Sequence, residues 1–452
     1  MGAFQQLTLA DLILNRDGTL TFRVILSIFG IALRLFFRRI ETVNAEVVPT
    51  GTGVIFVLNH PNGLIDPALV FVALPRKISF LAKSTLFRMP VISFLLRTVE
   101  ALPLYRRIDA GEDVSKNEQT FDLSRTLLAR GGSIALFPEG ISHNSPKLLP
   151  LKTGAARIAL GAAAAGETAV EVKIVPVGLY YTSKTTFRSE ALLHFGKPFT
   201  VPRVELEDGQ PPKDDVRDLT AKIDEELREV TVNAETEAEL HVARIAEQIF
   251  ASAADENGNL GEKLDFLKKY VDERASSDVE LDRRVRQFDL KLRERCLEPE
   301  HLSLANLTRR FVVYRALVQT WILILLSPFS LFGTILHAPA YQLGKLVAYL
   351  YSRHGADDVA STVKVLAGMV FIPLTWVITA VVLYFLSGWP LALASIPVSA
   401  ICGYIALYSL EEIAEMRGWT RAIWLFLTRR EMFLRLFVER RELQTALREF
   451  DA

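Results

Sequence analysis

Val54-Ile55-Phe56-Val57-Leu58-Asn59-His60-Pro61-Asn62-Gly63-Leu64-Ile65-Asp66-Pro67 is the stretch on which the reading of this chain turns. Its first five residues form an apolar run of strand length, bounded by turn formers, and read as a buried strand. A His and an Asp follow within one short segment at the end of that strand. Such a pair can serve as a general base and its orienting carboxylate, because imidazole titrates near neutral pH and a carboxylate selects its tautomer. The same residues also suit a plain turn. Asn-Gly and Asp-Pro are turn formers, and Asp66 is placed to cap a helix that opens with Pro67.

Apolar runs recur on either side. Ile78–Ala82, Val99–Tyr105, Ile134–Phe137, Val172–Tyr181 and Leu192–Phe195 read as strands, and Pro67–Ala73, Leu86–Leu96, Gln119–Ala129 and Thr153–Ala165 read as helices. This alternation predicts an α/β domain with a mixed sheet flanked by helices. After Pro211-Pro212 the chain becomes charged and helix-patterned, with runs such as Asp224-Glu225-Glu226. That region reads as a solvated helical insert.

The 452 residues leave room for two or three domains. Lys plus Arg and Asp plus Glu both number 52, so no basic excess marks a nucleic-acid binder. Cys296 and Cys402 are the two cysteines, far apart in sequence, and neither a structural disulfide nor a thiolate metal site is expected. Asp11, Arg16 and Asp17 precede the first apolar run and no small-residue cleavage site follows it, which reads against a cleavable signal peptide. Val24–Phe37 is apolar apart from Arg34 and ends at Arg38-Arg39. Too short to span straight, it reads as an interfacial helix whose arginines meet lipid phosphates.

The last third carries transmembrane helices. Ala316–Leu336 is uncharged over 21 residues and Val365–Leu410 over 46, with Ser387-Gly388-Trp389-Pro390 marking a turn between two spans. Arg309, Arg310 and Arg315 precede the first run, and Arg417, Arg421, Arg429, Arg430 and Arg435 follow the last. The positive-inside rule puts both flanks in the cytoplasm, so Ser327-Pro328 is expected to bend the first run back and leave an even number of crossings.

Three further motifs accompany the opening one. Leu102-Pro103-Leu104-Tyr105-Arg106-Arg107 ends in two guanidinium groups suited to clamping a phosphate. Phe137-Pro138-Glu139-Gly140-Ile141-Ser142-His143 follows a strand and can aim Glu139 toward the edge that carries His60, and Lys152-Thr153-Gly154-Ala155 opens a helix whose N-terminus and Lys152 favour an anion. Ile174-Val175-Pro176-Val177-Gly178 is a strand that can wall an apolar groove.

In this order the four blocks resemble those of the glycerolipid acyltransferases, which act on glycerol-3-phosphate and 1-acylglycerol-3-phosphate. Phe80-Leu81-Ala82-Lys83 and Phe195-Gly196-Lys197-Pro198 look like the family too. One departure stands out: five residues, not four, separate His60 from Asp66, so the segment must turn for the two to meet. In outline the chain is most similar to the larger fungal-type glycerol-3-phosphate and dihydroxyacetone-phosphate acyltransferases. The chain is expected to divide into an interfacial membrane helix over residues 1–40, an acyltransferase catalytic domain over 41–210, a charged helical region over 211–310, a membrane region over 311–411 and a basic C-terminal tail over 412–452.

The resemblance further implies that His60, aided by Asp66, removes the proton from an acceptor hydroxyl, which attacks acyl-CoA or acyl-carrier protein. Arg106 and Arg107, with Lys83 and Lys152, would hold the acceptor phosphate, while Glu139 and Gly140 bind its hydroxyls. No cofactor beyond the acyl donor, no metal and no covalent acyl-enzyme is required. His143 is the other histidine with a candidate site role. The expected setting is an integral membrane protein with its catalytic domain in the cytoplasm, in contact with membrane lipids and feeding phospholipid synthesis. Two rivals come from other classes. A non-catalytic scaffold predicts loss of the key His or Glu, and both are present. A transporter predicts charged or broken spans facing each other, and only Pro328 and Pro373 hint at that.

Overall fold

The computed structural model describes residues 4–6, 19–74, 76–88, 90–106, 109, 111–164, 170–184, 186, 188–251, 259–277, 279–302, 314–352 and 360–451. Two compact units emerge, Met1–Asn233 with Asp357–Thr362, and Ala234–Ala356 with Val363–Ala452.

The first unit follows the order β1 (Phe4–Gln6), α1 (Leu20–Phe36), β2 (Phe37–Val43), β3 (Gly53–Leu58), α2 (Ile65–Ala73), β4 (Ser79–Lys83), α3 (Pro90–Thr98), β5 (Leu102–Leu104), α4 (Asn117–Ala129), β6 (Ser133–Leu136), α5 (Gly154–Ala163), β7 (Val172–Tyr181), β8 (Ser189–Phe195), β9 (Phe199–Thr200) and α6 (Lys213–Arg228). Among the described residues these strands form one mixed sheet, ordered β1-β2-β8-β7-β3-β6-β4-β5, with β9 beside β7. β3 lies parallel to both of its neighbours, β6 and β7, and β4 is parallel to β6 and β5. Antiparallel pairs join β1 to β2 and β8 and β9 to β7.

Every residue of β3 is buried, as expected of a strand covered on both faces. Ile55 and Val57 face a core built with Leu128 of α4, Ala156, Ala159 and Leu160 of α5, and Val216, Leu219 and Ile223 of α6. On the other side, Phe22 of α1 packs on Phe71 of α2, which meets Phe80 of β4. The sheet unit therefore extends through α6 to Asn233, past the composition change at Pro211-Pro212.

Three expectations are corrected. Val99–Tyr105 yields only Leu102–Leu104 as strand, because α3 persists to Thr98 and the Val99 N–H still bonds the Leu95 carbonyl. The helix expected over Leu86–Leu96 is divided into a tight 3-10 turn, Ser84–Arg88, and α3, which starts at Pro90, where proline's missing N–H is harmless. Arg38 and Arg39 do not sit at the end of the apolar helix facing lipid phosphates. They lie on β2, which pairs parallel to β8, and both reach the carboxylate of Glu190. Helix α1 itself buries Phe22, Ile25, Leu26, Leu33 and Phe36, and exposes a second apolar row, Leu20, Val24, Ile28, Ile31 and Leu35.

The second unit contains α7 (Glu237–Ala251), α8 (Leu260–Ser277), α9 (Val279–Arg293), α10 (Thr320–Ser352), α11 (Ala360–Ser387), α12 (Trp389–Thr428) and α13 (Arg430–Asp451). Residues 412–452 are not a loose tail. α12 runs to Thr428, and α13 buries Phe433, Leu436, Leu443 and Leu447 while Lys291 of α9 pairs with Glu439 at 2.6 Å and Gln444 bonds the Ile249 carbonyl at 3.0 Å. Among the described residues three helices, over Leu317–Leu350, Leu366–Ser387 and Trp389–Thr428, are long and apolar enough to cross a membrane.

The first span does not bend back at Ser327-Pro328, since α10 is continuous there. Pro328 cannot donate to the Ile324 carbonyl one turn earlier, but the Ser327 hydroxyl does so at 2.7 Å. Gly388 breaks the second pair of spans, as the sequence predicts. His337 in α10 donates from Nδ1 to the Gly333 carbonyl and accepts the Trp376 indole N–H, both at 2.8 Å, so its polar atoms are satisfied within the helices.

Gly178 of β7 is where the segment after α6 meets the sheet. A Cβ there would stand 1.8 Å from the Val230 carbonyl oxygen, whereas one at Gly154 would meet nothing within 4 Å. Gly178→Ala is expected to destabilise the sheet unit by about 1–3 kcal/mol or more, seen as a lowered Tm, with Gly154→Ala leaving Tm nearly unchanged.

Candidate active site

Parallel strands bring the motifs to one edge. The C-terminal ends of β3, β6, β7, β4 and β5 all point the same way, and the residues that follow or close them are His60, Glu139, Tyr181, Lys83 and Arg106. Loops at the carboxyl edge of such a sheet are where open α/β folds place ligands.

Asn59 finishes β3 by imitating the ladder with its side chain: Nδ2 donates to the Leu179 carbonyl at 3.1 Å and Oδ1 accepts the Leu179 N–H at 2.7 Å. The chain then turns. Gly63 takes φ +51°, the Ile65 N–H bonds the Asn62 carbonyl at 3.1 Å, and α2 begins at Ile65. This turn absorbs the five-residue spacing and returns Asp66, in the first turn of α2, to His60.

Asp66 is fully buried and accepts three hydrogen bonds. His60 Nδ1 lies 2.8 Å from Oδ2, the Asn62 N–H donates to Oδ2 at 2.7 Å, and the Tyr181 hydroxyl donates to Oδ1 at 2.6 Å. A carboxylate only accepts, so Nδ1 carries the proton and Nε2 presents its lone pair. Nε2 has no hydrogen-bond partner among the described residues, and the His60 side chain keeps 18% of its surface exposed. Its ring stacks on Phe137 at 4.0 Å between centroids, which sets its plane. Burial and the charge of Asp66 push the Tyr181 phenol well above 10, so it remains a donor.

Glu139 does reach the His60 edge, but not to face a substrate. Its side chain is wholly buried; Oε1 accepts the His60 N–H at 2.9 Å, and Oε2 accepts the Leu149 N–H at 2.9 Å and meets His143 Nε2. Contact with acceptor hydroxyls is therefore not the arrangement found, because the chain's own donors hold both oxygens. His143 Nδ1 accepts the Ser145 N–H at 3.1 Å, so Nε2–H faces Glu139. The next residue, Gly140, has φ +76°, and its carbonyl accepts from Arg106 Nη1 at 2.7 Å. Lys152 is exposed; a Cβ on Gly140 would lie 3.5 Å from its stem, and its ammonium has no partner among the described residues.

Arg106 and Lys83 do converge, on an acidic residue that sequence reasoning missed. Arg106 grips Asp109 with Nε at 2.9 Å and Nη2 at 3.0 Å, and Lys83 Nζ lies 3.0 Å from the same carboxylate. The hydrogen bond from Arg106 holds the Asp109 carboxyl below its usual range. Arg107 lies outside the described residues.

Residues 39–180 match the acyltransferase family. The matched segment contains His60, Asp66, Lys83, Arg106, Asp109 and Glu139. It is 28% identical over 299 residues to glycerol-3-phosphate O-acyltransferase 2 of Saccharomyces cerevisiae, covering 60% of this chain and 39% of that protein. It is also 28% identical over 162 residues to a chloroplastic 1-acyl-sn-glycerol-3-phosphate acyltransferase of Brassica napus, covering 35% of this chain and 43% of the relative. The crystal structure of the 1-acyl-sn-glycerophosphate acyltransferase PlsC from Thermotoga maritima aligns with a TM-score of 0.33 and 20% identity, over 46% of this chain and 78% of that one. The chain spans about two fifths of the length of the yeast relatives it matches.

Asp109, inside the matched segment, and Tyr181, one residue past its end, are site residues that sequence reasoning passed over. Tyr181 closed a predicted strand, and only the β3–β7 register reveals its reach to Asp66. Asp109 sits three residues after Arg106, a spacing that a polar loop leaves uninterpretable. Tyr181→Phe keeps the ring beside Phe37 (centroids 5.6 Å) and removes only the hydroxyl. It is expected to lower stability by about 1.5–3 kcal/mol, the worth of a hydrogen bond to a charged group. Because the phenol stays protonated, the Tm difference should be constant from about pH 6 to 9.

Proposed function

We propose that this chain is a membrane-bound O-acyltransferase that moves a fatty acyl group from acyl-CoA or acyl-carrier protein to glycerol-3-phosphate or dihydroxyacetone phosphate, an early step in making phosphatidic acid and phospholipids. The observation that carries this reading is the His60–Asp66 pair, with Nδ1 tied at 2.8 Å and Nε2 left to accept a proton. The family match and the relatives' printed activities support the reaction class.

In this mechanism Nε2 of His60 takes the proton of the acceptor hydroxyl as its oxygen attacks the thioester carbonyl. Buried Asp66 stabilises the imidazolium that forms. The tetrahedral intermediate collapses, the C–S bond breaks, and the departing thiolate recovers the proton from His60. Acyl transfer is direct, and the chain's own groups carry each proton step. Arg106, Lys83 and Lys152 hold the acceptor phosphate beside Gly140, with Arg107 following Arg106 in the chain. Asp109 balances their charge, and Glu139 acts as a positioning residue that pins the His60 backbone.

A second reading takes 1-acylglycerol-3-phosphate as acceptor. One feature favours it: the exposed apolar row of α1 is suited to lie in a lipid interface, where such an acceptor resides. In both readings the acyltransferase domain faces the cytoplasm, where thioester donors are found.

His60→Ala is expected to reduce acyl transfer from labelled acyl-CoA by about 10²- to 10⁴-fold while membrane association persists; near-normal turnover would refute the general base. The orientation has its own probe in the exposed thiol of Cys296, since Cys402 is buried. A membrane-impermeant maleimide should label Cys296 in inside-out vesicles and spare it in right-side-out ones. The reverse pattern would place Cys296, and with it the segment before the first long apolar helix, on the other side.

A further inference from the structure

We propose that Asp109 is an internal counter-anion that occupies the acceptor's phosphate site in the free protein and thereby sets how tightly a phosphate monoester binds there. This inference rests on the reading of Arg106 and Lys83 as phosphate-binding groups. Both cations end on the one carboxylate: Arg106 through Nε and Nη2 at 2.9 and 3.0 Å, Lys83 at 3.0 Å. The Asp109 side chain is 7% exposed, against 23% for Arg106 and 37% for Lys83, so the anion lies inside the cluster and the cations at its rim.

Carboxylate and phosphate are the two anions that a guanidinium fork takes in the same two-pronged way. Asp109 therefore holds the edge of Arg106 that a phosphate would use. The third donor of Arg106, Nη1, is fixed on the Gly140 carbonyl at 2.7 Å, which anchors the guanidinium next to Glu139 and hence to the backbone of His60. The clamp is thus preset in place and already filled.

A phosphate monoester carries about −1.5 to −2 charges at pH 7. It can enter in two ways, by displacing Asp109 or by binding beside it. Displacement breaks a two-pronged ion pair, and binding alongside sets two anions against each other in a partly dehydrated cluster. Asp109 opposes acceptor binding in both cases. Replacing its charge while keeping its shape should therefore tighten the site, and the effect should be confined to phosphate-bearing ligands.

The test compares Asp109→Asn, Asp109→Ser and the charge-retaining Asp109→Glu in the full-length protein, with labelled acyl-CoA as donor and glycerol-3-phosphate as acceptor. The two neutral variants are expected to lower the acceptor KM about 3- to 10-fold. They should also lower the Ki of inorganic phosphate by the same factor and leave the KM for acyl-CoA unchanged. Asp109→Glu, which keeps the anion, should lower neither the acceptor KM nor the Ki of inorganic phosphate. Equilibrium dialysis of labelled glycerol-3-phosphate repeats the comparison without turnover, and matching Tm values certify the fold. An acceptor KM and a dialysis affinity that are unchanged or weaker in both neutral variants would overturn the inference. Arg106→Ala separates the two levels. If it raises the acceptor KM while the neutral Asp109 variants do not lower it, the phosphate site stands and the counter-anion role falls. If Arg106→Ala leaves acceptor affinity unaltered, the phosphate-site reading falls with it.

Discussion

A buried carboxylate joins the two strand ends on which the site is built. Glu139 leaves β6 with no exposed surface, and it accepts the His60 N–H from the end of β3 and the Leu149 N–H from the following loop. A charge in that position is tolerable only when fully hydrogen-bonded, and removing it would orphan the two N–H groups at once. The His143 ring beside it and the His143 N–H on the His60 carbonyl at 3.1 Å tie the same loops together. The loop after Glu139 is in turn held by the Leu148 N–H on Asn233 at 3.0 Å, so α6 and its trailing segment support the catalytic edge.

His60 is thereby held by its backbone through Glu139 and by its ring through Asp66 and Phe137. These are independent restraints. The backbone bond sets where the residue leaves the sheet, the 2.8 Å contact to Asp66 sets its tautomer, and the stack on Phe137 sets its plane. Asp66 in turn depends on Tyr181 from the neighbouring strand. A general base needs this kind of support, because proton transfer tolerates little error in distance or angle.

The long apolar helices of the second unit are suited to a different solvent. They expose Leu, Ile, Val and Phe side chains along most of their length and carry prolines at 328, 339, 373 and 397 without breaking. The freed carbonyl at Ile324 finds a side-chain hydroxyl one residue before the proline, which is how a helix in a lipid environment keeps its backbone satisfied. Gly333 and Gly403 let α10 and α12 approach at the Cys402 carbonyl and at His337.

Much of this was legible from residue order alone. Apolar runs of strand length, the four ordered motifs and the uncharged stretches depend on local composition and period, and these identified the α/β sheet, His60 with Asp66, Arg106, and the long apolar helices; Lys83 came only with the family resemblance. Proline at 328 misled because its local meaning is a bend, whereas a hydroxyl in register rescued the helix. Arg38 and Arg39 misled because a charged strand has no local signature; only pairing with β8 and the carboxylate of Glu190 makes one. What the sequence by itself determined was which groups are present and where the strongly patterned strands and helices and the long apolar stretches lie. Tertiary structure alone decided where side chains point: Glu139 inward to the backbone, Tyr181 onto Asp66, and Asp109 between two cations. Those choices belong to long-range strand register and to the need of buried charges for partners, and neither is encoded in any single stretch.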